Sequence, residues 1–238
     1  MIVDAVVHPS ELPNLANRKI GESVCVVFDV LRATSTMVTA LEHGVAEIIP
    51  AASIEEALML KETHPMALLG GERHGDKIKG FDLGNSPMEY LNHGGAKIIS
   101  TTTNGTIALK ACAQASTVLV GAILNLAAII EALTVLAPSR LIAVCSGTGE
   151  GVALEDIWAA GALIEFFQND DCTDAARMAL AVRREHSKPA QALRLSKNGR
   201  ALQSRGKLND VEWCERPSVM RSIGIMRGGV IRKWGTDF

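Results

Sequence analysis

Apolar runs of strand length alternate with helical patterns through the first two-thirds of this chain, and that order restricts the fold more than any other feature. The strand-like runs are Ile2–Val7, Ser23–Val30, Glu47–Pro50, Ala67–Gly70, Lys97–Ser100, Thr117–Val120 and Leu141–Cys145. Helical patterns fill most of the gaps, at Thr36–His43, Ile54–Thr63, Ser86–His93, Thr106–Ala113, Leu126–Leu136 and Leu154–Phe167. Alternation of this kind gives βαβ units, with the sheet covered on both faces. The expectation is an α/β fold, a three-layer α/β/α arrangement on a mainly parallel sheet, with a mixed sheet as the open variant. From Asn169 the pattern changes. Asp174–Glu185 reads as helix, and Lys188–Arg194 either extends it or starts another. Beyond them lie Gly199, Gly206, Gly224, Gly228 and Gly229 among dispersed Arg and Lys. One α/β domain over 1–238 is expected, with a small C-terminal lobe from about residue 170 as the alternative. The 196–232 stretch either closes over a cleft or builds that lobe.

Composition narrows the function classes. The 238 residues are 47% hydrophobic, enough for a sizeable core. A formal charge of −2 and 4% aromatic residues argue against nucleic acid as a partner. Five cysteines without a CxxC pair fit reduced thiols and a cytoplasmic protein. The N-terminus lacks the basic and apolar regions of a signal peptide. Val118 to Ala137 approaches the length of a membrane span, but Gly121, Asn125 and Glu131 interrupt it. It reads as a strand, a turn, and a helix capped by Asn125. No membrane partner is expected, and a homodimer is the base-rate assembly.

The polar residues concentrate after the strands. Val24 to Thr36 runs from an apolar strand through Asp29 and Arg32 into Thr34-Ser35-Thr36 and a helix. That order sets a carboxylate, a guanidinium and free helix N–H groups at a strand end, where open α/β proteins bind ligands and helices favour anions. Three more loops follow strands: Gly70–Gly75 leading to Phe81–Pro87, Ser100–Thr106, and Cys145–Gly151 leading to Glu155-Asp156. Each alone has an ordinary explanation as a cap or turn. Together they bring acids (Asp29, Glu72, Asp82, Asp156), cations (Arg32, Arg73, Lys77, Lys79) and hydroxyls (Thr34, Ser35, Thr102, Thr103, Ser146) to one set of strand ends. Carboxylates and hydroxyls suit Mg²⁺, and arginines with helix starts suit phosphate. The combination points to metal-assisted phosphoryl transfer or hydrolysis.

Missing motifs exclude several alternatives. No Gly-x-x-x-x-Gly-Lys-Ser/Thr loop is present, and Val152 stands where a dinucleotide fingerprint after Gly147 needs glycine. Cys145 lacks an arginine six residues on, Asp29-Val30-Leu31 lacks a second acid, and no His/Cys cluster has zinc spacing.

Four blocks carry a family resemblance: Phe28–Thr36, Gly71-Glu72-Arg73, Gly80–Pro87 and Thr101–Thr106. With Asn125, Ser146-Gly147, Glu155-Asp156 and the later Ser196, Gly199, Leu202, Gly206, Asp210 and Cys214, they resemble the 2-phosphosulfolactate phosphatase (ComB-like) family over nearly the whole chain. The resemblance implies a Mg²⁺-dependent phosphoric monoester hydrolase. The implied reaction converts 2-phospho-3-sulfolactate to 3-sulfolactate and phosphate, a step towards coenzyme M. Under it, Asp29, Glu72 and Asp156 are the expected metal ligands, Arg32 and Arg73 the cations on the phosphoryl oxygens, and Asp82 the general base. Thr34, Ser35, Thr102, Thr103, Asn104, Gly105, Asn85 and Ser146 are the expected substrate-binding set. A rival mechanism makes Asp29 a covalent nucleophile. The other open readings are a phosphatase of another acidic phosphate ester and a non-catalytic binder of small anions.

Overall fold

The structure is a computed structural model that describes residues 1–236. The described residues form an 11-stranded mixed sheet flanked by helices. The strands are β1 (Ile2–Val6), β2 (Ser23–Phe28), β3 (Glu47–Pro50), β4 (Leu68–Arg73), β5 (Asp76–Lys77), β6 (Lys97–Thr101), β7 (Thr117–Gly121), β8 (Arg140–Cys145), β9 (Asp171–Cys172), β10 (Gly224–Arg227) and β11 (Val230–Lys233). Their order across the sheet is β5-β4-β6-β3-β11-β10-β7-β2-β8-β1-β9. The block β4-β6-β3 is internally parallel, and so is β7-β2-β8-β1-β9. The hairpin β10–β11 lies between them and pairs antiparallel on both sides. Part of the glycine-rich C-terminal stretch therefore sits at the middle of the sheet, which makes the sheet mixed.

Alternation along the strands explains the layers. In β2, Val24, Val26 and Phe28 enter one apolar cluster, while Cys25 and Val27 enter the other. In β8, Leu141, Ala143 and Cys145 face the first cluster, and Ile142 and Val144 face the second. Successive side chains point to opposite faces, so a strand that is apolar throughout must be covered twice. The first face is covered by α4 (Leu126–Leu136), α5 (Leu154–Phe166) and α6 (Asp174–Glu185). Residues of α7 (Pro189–Leu195), α8 (Lys197–Ser204) and α9 (Leu208–Cys214) join the same cluster. The second face is covered by α1 (Ala33–Glu42), α3 (Gly105–Ala111) and a 3₁₀ segment at Pro9–Arg18. A third cluster joins α2 (Ile54–Thr63) to β3, β4 and β6 through Ala57, Ile49, Leu69 and Ile99. Burying each valine, leucine or isoleucine side chain of these clusters contributes roughly 1.5–3 kcal/mol.

Two sequence readings need correction, and one open alternative is decided. The helix expected over Ser86–His93 is a 3₁₀ turn at Pro87–Tyr90, because Gly94 and Gly95 follow closely and the Ser86 hydroxyl donates to Asp210 at 2.6 Å instead of capping. Asn125 holds the position before α4, but its side chain makes no cap bond there. It accepts from Ala122 N–H at 2.9 Å and donates to the carbonyls of Val120 and Ser222, tying β7 to the C-terminal segment. Lys188 starts a separate helix, α7, because Pro189 is preorganised for a first helical position. The 118–137 stretch is the end of β7 followed by α4, as read from its interruptions, and among the described residues no helix is long and apolar enough to cross a membrane.

Candidate active site

A shared strand edge cannot by itself explain convergence of the four loops, because the β10–β11 hairpin separates the two parallel blocks. The contacts show the convergence directly. A cleft of about 310 Å³ is lined by Asp29 and Arg32 after β2, Glu72, His74 and Gly75 at the β4–β5 turn, Thr103 and Asn104 after β6, and Gly147 to Gly149 after β8. Asn85 and the α8 residues Lys197, Asn198 and Ala201 line it too, with Arg205 just beyond the helix.

Asp29 sits where β2 ends and α1 begins. Its Oδ1 accepts from Ala33 N–H at 3.1 Å, satisfying a donor that the new helix leaves open. The Thr34 hydroxyl accepts from Asp29 N–H and donates to the Asp29 carbonyl, both at 3.0 Å, and the Ser35 hydroxyl donates to the Val30 carbonyl at 2.7 Å. Thr34 and Ser35 are therefore buried braces of the loop and do not line the cleft. Gly105 stands behind Asp29, where a Cβ would lie 2.6 Å from Asp29 Oδ2 and 2.7 Å from the Ala33 methyl. Only glycine allows α3 to start this close to the carboxylate. Burial, with the negative charges of Glu72 and Glu155, pushes the Asp29 carboxyl up to about 7.

The other acids are already engaged to different degrees. Glu72 accepts from Gly75 N–H at 2.7 Å, from Thr103 N–H at 2.8 Å and from the Thr103 hydroxyl at 2.9 Å. Asp156 lies under the cleft, accepting from Val30 N–H at 2.8 Å and Gly147 N–H at 3.1 Å, so one carboxylate locks the loops after β2 and β8 together. Burial first, then the charges of Glu155 and Asp29, raise its carboxyl well above the ordinary range. Glu155 accepts from Asn198 at 2.7 Å through Oε1, while its buried Oε2 has no hydrogen-bond partner among the described residues. Burial raises this carboxyl as well.

Arg32 is buried, joined to Leu31 by a cis peptide. It forms an ion pair with Asp210 and donates to the Gly75 carbonyl at 3.0 Å. A guanidinium carries more N–H donors than these two contacts use. Asn104 spans the cleft wall, exchanging hydrogen bonds with Gly149 and donating to the Ser146 carbonyl.

Of the sequence-derived site residues, Asp29, Arg32, Glu72, Asn85, Thr103 and Asn104 line the cleft. Asp156, Ser146, Gly105, Thr34, Ser35 and Thr102 lie behind its surface; the Thr102 and Thr106 side chains bond to each other's backbone N–H at 3.2 Å. Arg73 lies outside, donating to the Glu72 carbonyl and the Thr101 hydroxyl. Asp82 is exposed and outside as well, its carboxylate accepting from Leu69 N–H at 2.8 Å. Among the described residues, no three His, Cys, Asp or Glu side chains surround a common cation position, so Asp29, Glu72 and Asp156 do not form a three-carboxylate cage. Sequence reasoning missed Lys197, Asn198 and Arg205 as lining residues and Asp210 as the partner of Arg32. The only signal for the first two was the neighbouring Ser196, already part of the family pattern.

Residues 10–229 match the family model for 2-phosphosulpholactate phosphatase. The chain belongs to that family. Relatives within it bear the name "Probable 2-phosphosulfolactate phosphatase". One from Deinococcus radiodurans is 43% identical over 215 residues, covering 87% of this chain and 88% of the relative. One from Carboxydothermus hydrogenoformans is 38% identical over 223 residues, covering 92% and 91%. One from Clostridium acetobutylicum is 32% identical over 238 residues, covering 97% and 100%. The matched region of this family member spans every strand-end loop of the cleft and all of α8 and α9.

Proposed function

We propose that this family member hydrolyses a small phosphate monoester bearing further acid groups, with 2-phospho-3-sulfolactate as substrate, to the free hydroxy-acid and phosphate. The observation that carries the reading is Asp29, a buried carboxyl on the cleft with one oxygen fixed by α1 and the other free of hydrogen bonds among the described residues. Asp29 is the group that the phosphoryl centre meets. Arg32, fixed by Asp210 and Gly75, supplies positive charge beside it as charge develops on the phosphoryl oxygens. Thr103 and Asn104 hold the opposing loop in place through Glu72 and Gly149.

Mg²⁺ belongs to this proposal, and the donors suit it in a reduced form. Mg²⁺ needs only one or two carboxylates when water and substrate phosphate fill the remaining positions. Asp29 and Glu155 would hold it, since Glu155 Oε2 is buried without a hydrogen-bond partner among the described residues and the two acids repel each other. Bound there, the ion would polarise the phosphoryl group and acidify a water. Coenzyme M synthesis as the setting, and a cytoplasmic location, stay part of the proposal.

The test is phosphate release from a panel of phosphorylated hydroxy-acids, with Mg²⁺ and after chelation. Turnover of 2-phospho-3-sulfolactate that needs Mg²⁺ supports the reading. Tight binding of these esters without release of phosphate would leave an anion binder instead.

A further inference from the structure

The cleft holds one kind of cation that its own architecture does not use. Arg32 is paired with Asp210, and Arg205 donates to the His74 carbonyl with Asp76 at 3.8 Å. Lys197 lines the same cleft, is exposed, and makes no hydrogen bond or ion pair among the described residues. Its backbone is nevertheless held firmly. Ser196 caps α8 by accepting from Gly199 N–H at 2.9 Å, and Asn198 donates to Glu155 at 2.7 Å and to Thr148 at 2.8 Å. Gly199 lies so close to Leu193 that a Cβ would stand 1.8 Å from its carbonyl oxygen, which fixes α8 against α7. An ammonium beside several acids would ordinarily settle on one. Glu72, an acid on the same cleft surface, is already taken up by Thr103 and Gly75. The result is a positive group on an anchored helix, left for something that enters the cleft.

We propose that Lys197 receives a second acid group of the substrate, carried on the carbon next to the phosphoryl-bearing carbon. It thereby selects multiply charged phosphate esters over simpler ones. The inference rests on the phosphatase reading above and adds a specificity residue to it. A lysine suits this task, because a compact charge on a flexible stem meets a sulfonate or a second carboxylate without the fixed fork that a phosphoryl clamp requires.

The experiment compares kcat/KM, with Mg²⁺, for 2-phospho-3-sulfolactate and for 2-phospholactate, which lacks the sulfonate. The wild-type protein is expected to prefer the first. In Lys197→Ala that preference should fall about 10- to 100-fold, the worth of a charge-assisted hydrogen bond, chiefly through KM. Lys197→Arg should restore most of it. An equal loss on both esters, or no loss on either, would overturn the assignment, because the ammonium would then serve the phosphoryl group, the fold or nothing. Hydrolysis of neither ester by the wild-type protein would instead refute the phosphatase reading, and the inference with it.

Discussion

The Arg32 guanidinium and the Asp210 carboxylate form a buried ion pair between residues 178 apart in sequence. Arg32 also donates to Gly75, and Asp210 accepts from Ser86. One pair thus joins the β2 loop, the β4–β5 turn, the Gly80–Pro87 block and α9.

Removing one partner of such a pair leaves an uncompensated buried charge, which costs about 3–5 kcal/mol. Asp210→Asn is therefore expected to lower the free energy of unfolding by that amount, seen as a lower denaturant midpoint, and to reduce turnover through misplacement of Arg32. An unchanged midpoint would mean that the pair does not hold these segments together.

Asp29 carries a cost of its own. Its carboxyl is raised from 3.8 to about 7 in the folded chain, chiefly by burial. Between those values the folded state binds a proton that the unfolded state has released, so stability falls as pH rises through that window. Above about 7 the whole penalty is present. Asp29→Asn should abolish turnover yet raise stability at pH 8 by roughly 1–4 kcal/mol, measured without divalent cations. The gain should shrink towards pH 4. A gain independent of pH would contradict the burial argument.

Two further substitutions separate the site that the sequence suggested from the one that the fold builds. In Gly105→Ala the new methyl would meet Asp29 Oδ2 and Ala33. A shift of about 1 Å at a reacting group costs on the order of 10²-fold in rate, so kcat should fall that far while the circular dichroism spectrum stays that of the folded protein. In Asp82→Ala only the hydrogen bond to Leu69 N–H is lost. A decrease of about 0.5–1.5 kcal/mol in stability is expected, with kcat within a few-fold of wild type. A collapse of kcat in Asp82→Ala would return Asp82 to the active site.

The strands were legible because burial on both faces leaves an unbroken apolar run, as in Val24–Phe28 and Leu141–Cys145. The loops that follow them were legible as polar clusters. Three things were not. The β10–β11 hairpin is short and rich in glycine, so nothing local announces that it pairs with β7 and β3 at the middle of the sheet. The direction in which a side chain points is a tertiary fact. Arg73 follows Glu72 directly, yet alternation along β4 turns Glu72 into the cleft and Arg73 away. Thr34 and Ser35 read from the sequence as substrate-binding residues, but the turn after β2 takes their hydroxyls for its own backbone. Lys197 and Asp210 were out of reach for the same reason, since only the packing of α7, α8 and α9 brings them to the loops after β2 and β4.

The most direct test of the account is the release of inorganic phosphate from 2-phospho-3-sulfolactate by the wild-type protein and by Asp29→Asn, each with Mg²⁺ and after chelation. The account expects release by the wild-type protein with Mg²⁺ alone, and none above background by folded Asp29→Asn in either condition. Near-normal release by Asp29→Asn would contradict the assignment of the site, and no release by the wild-type protein would contradict the proposed activity.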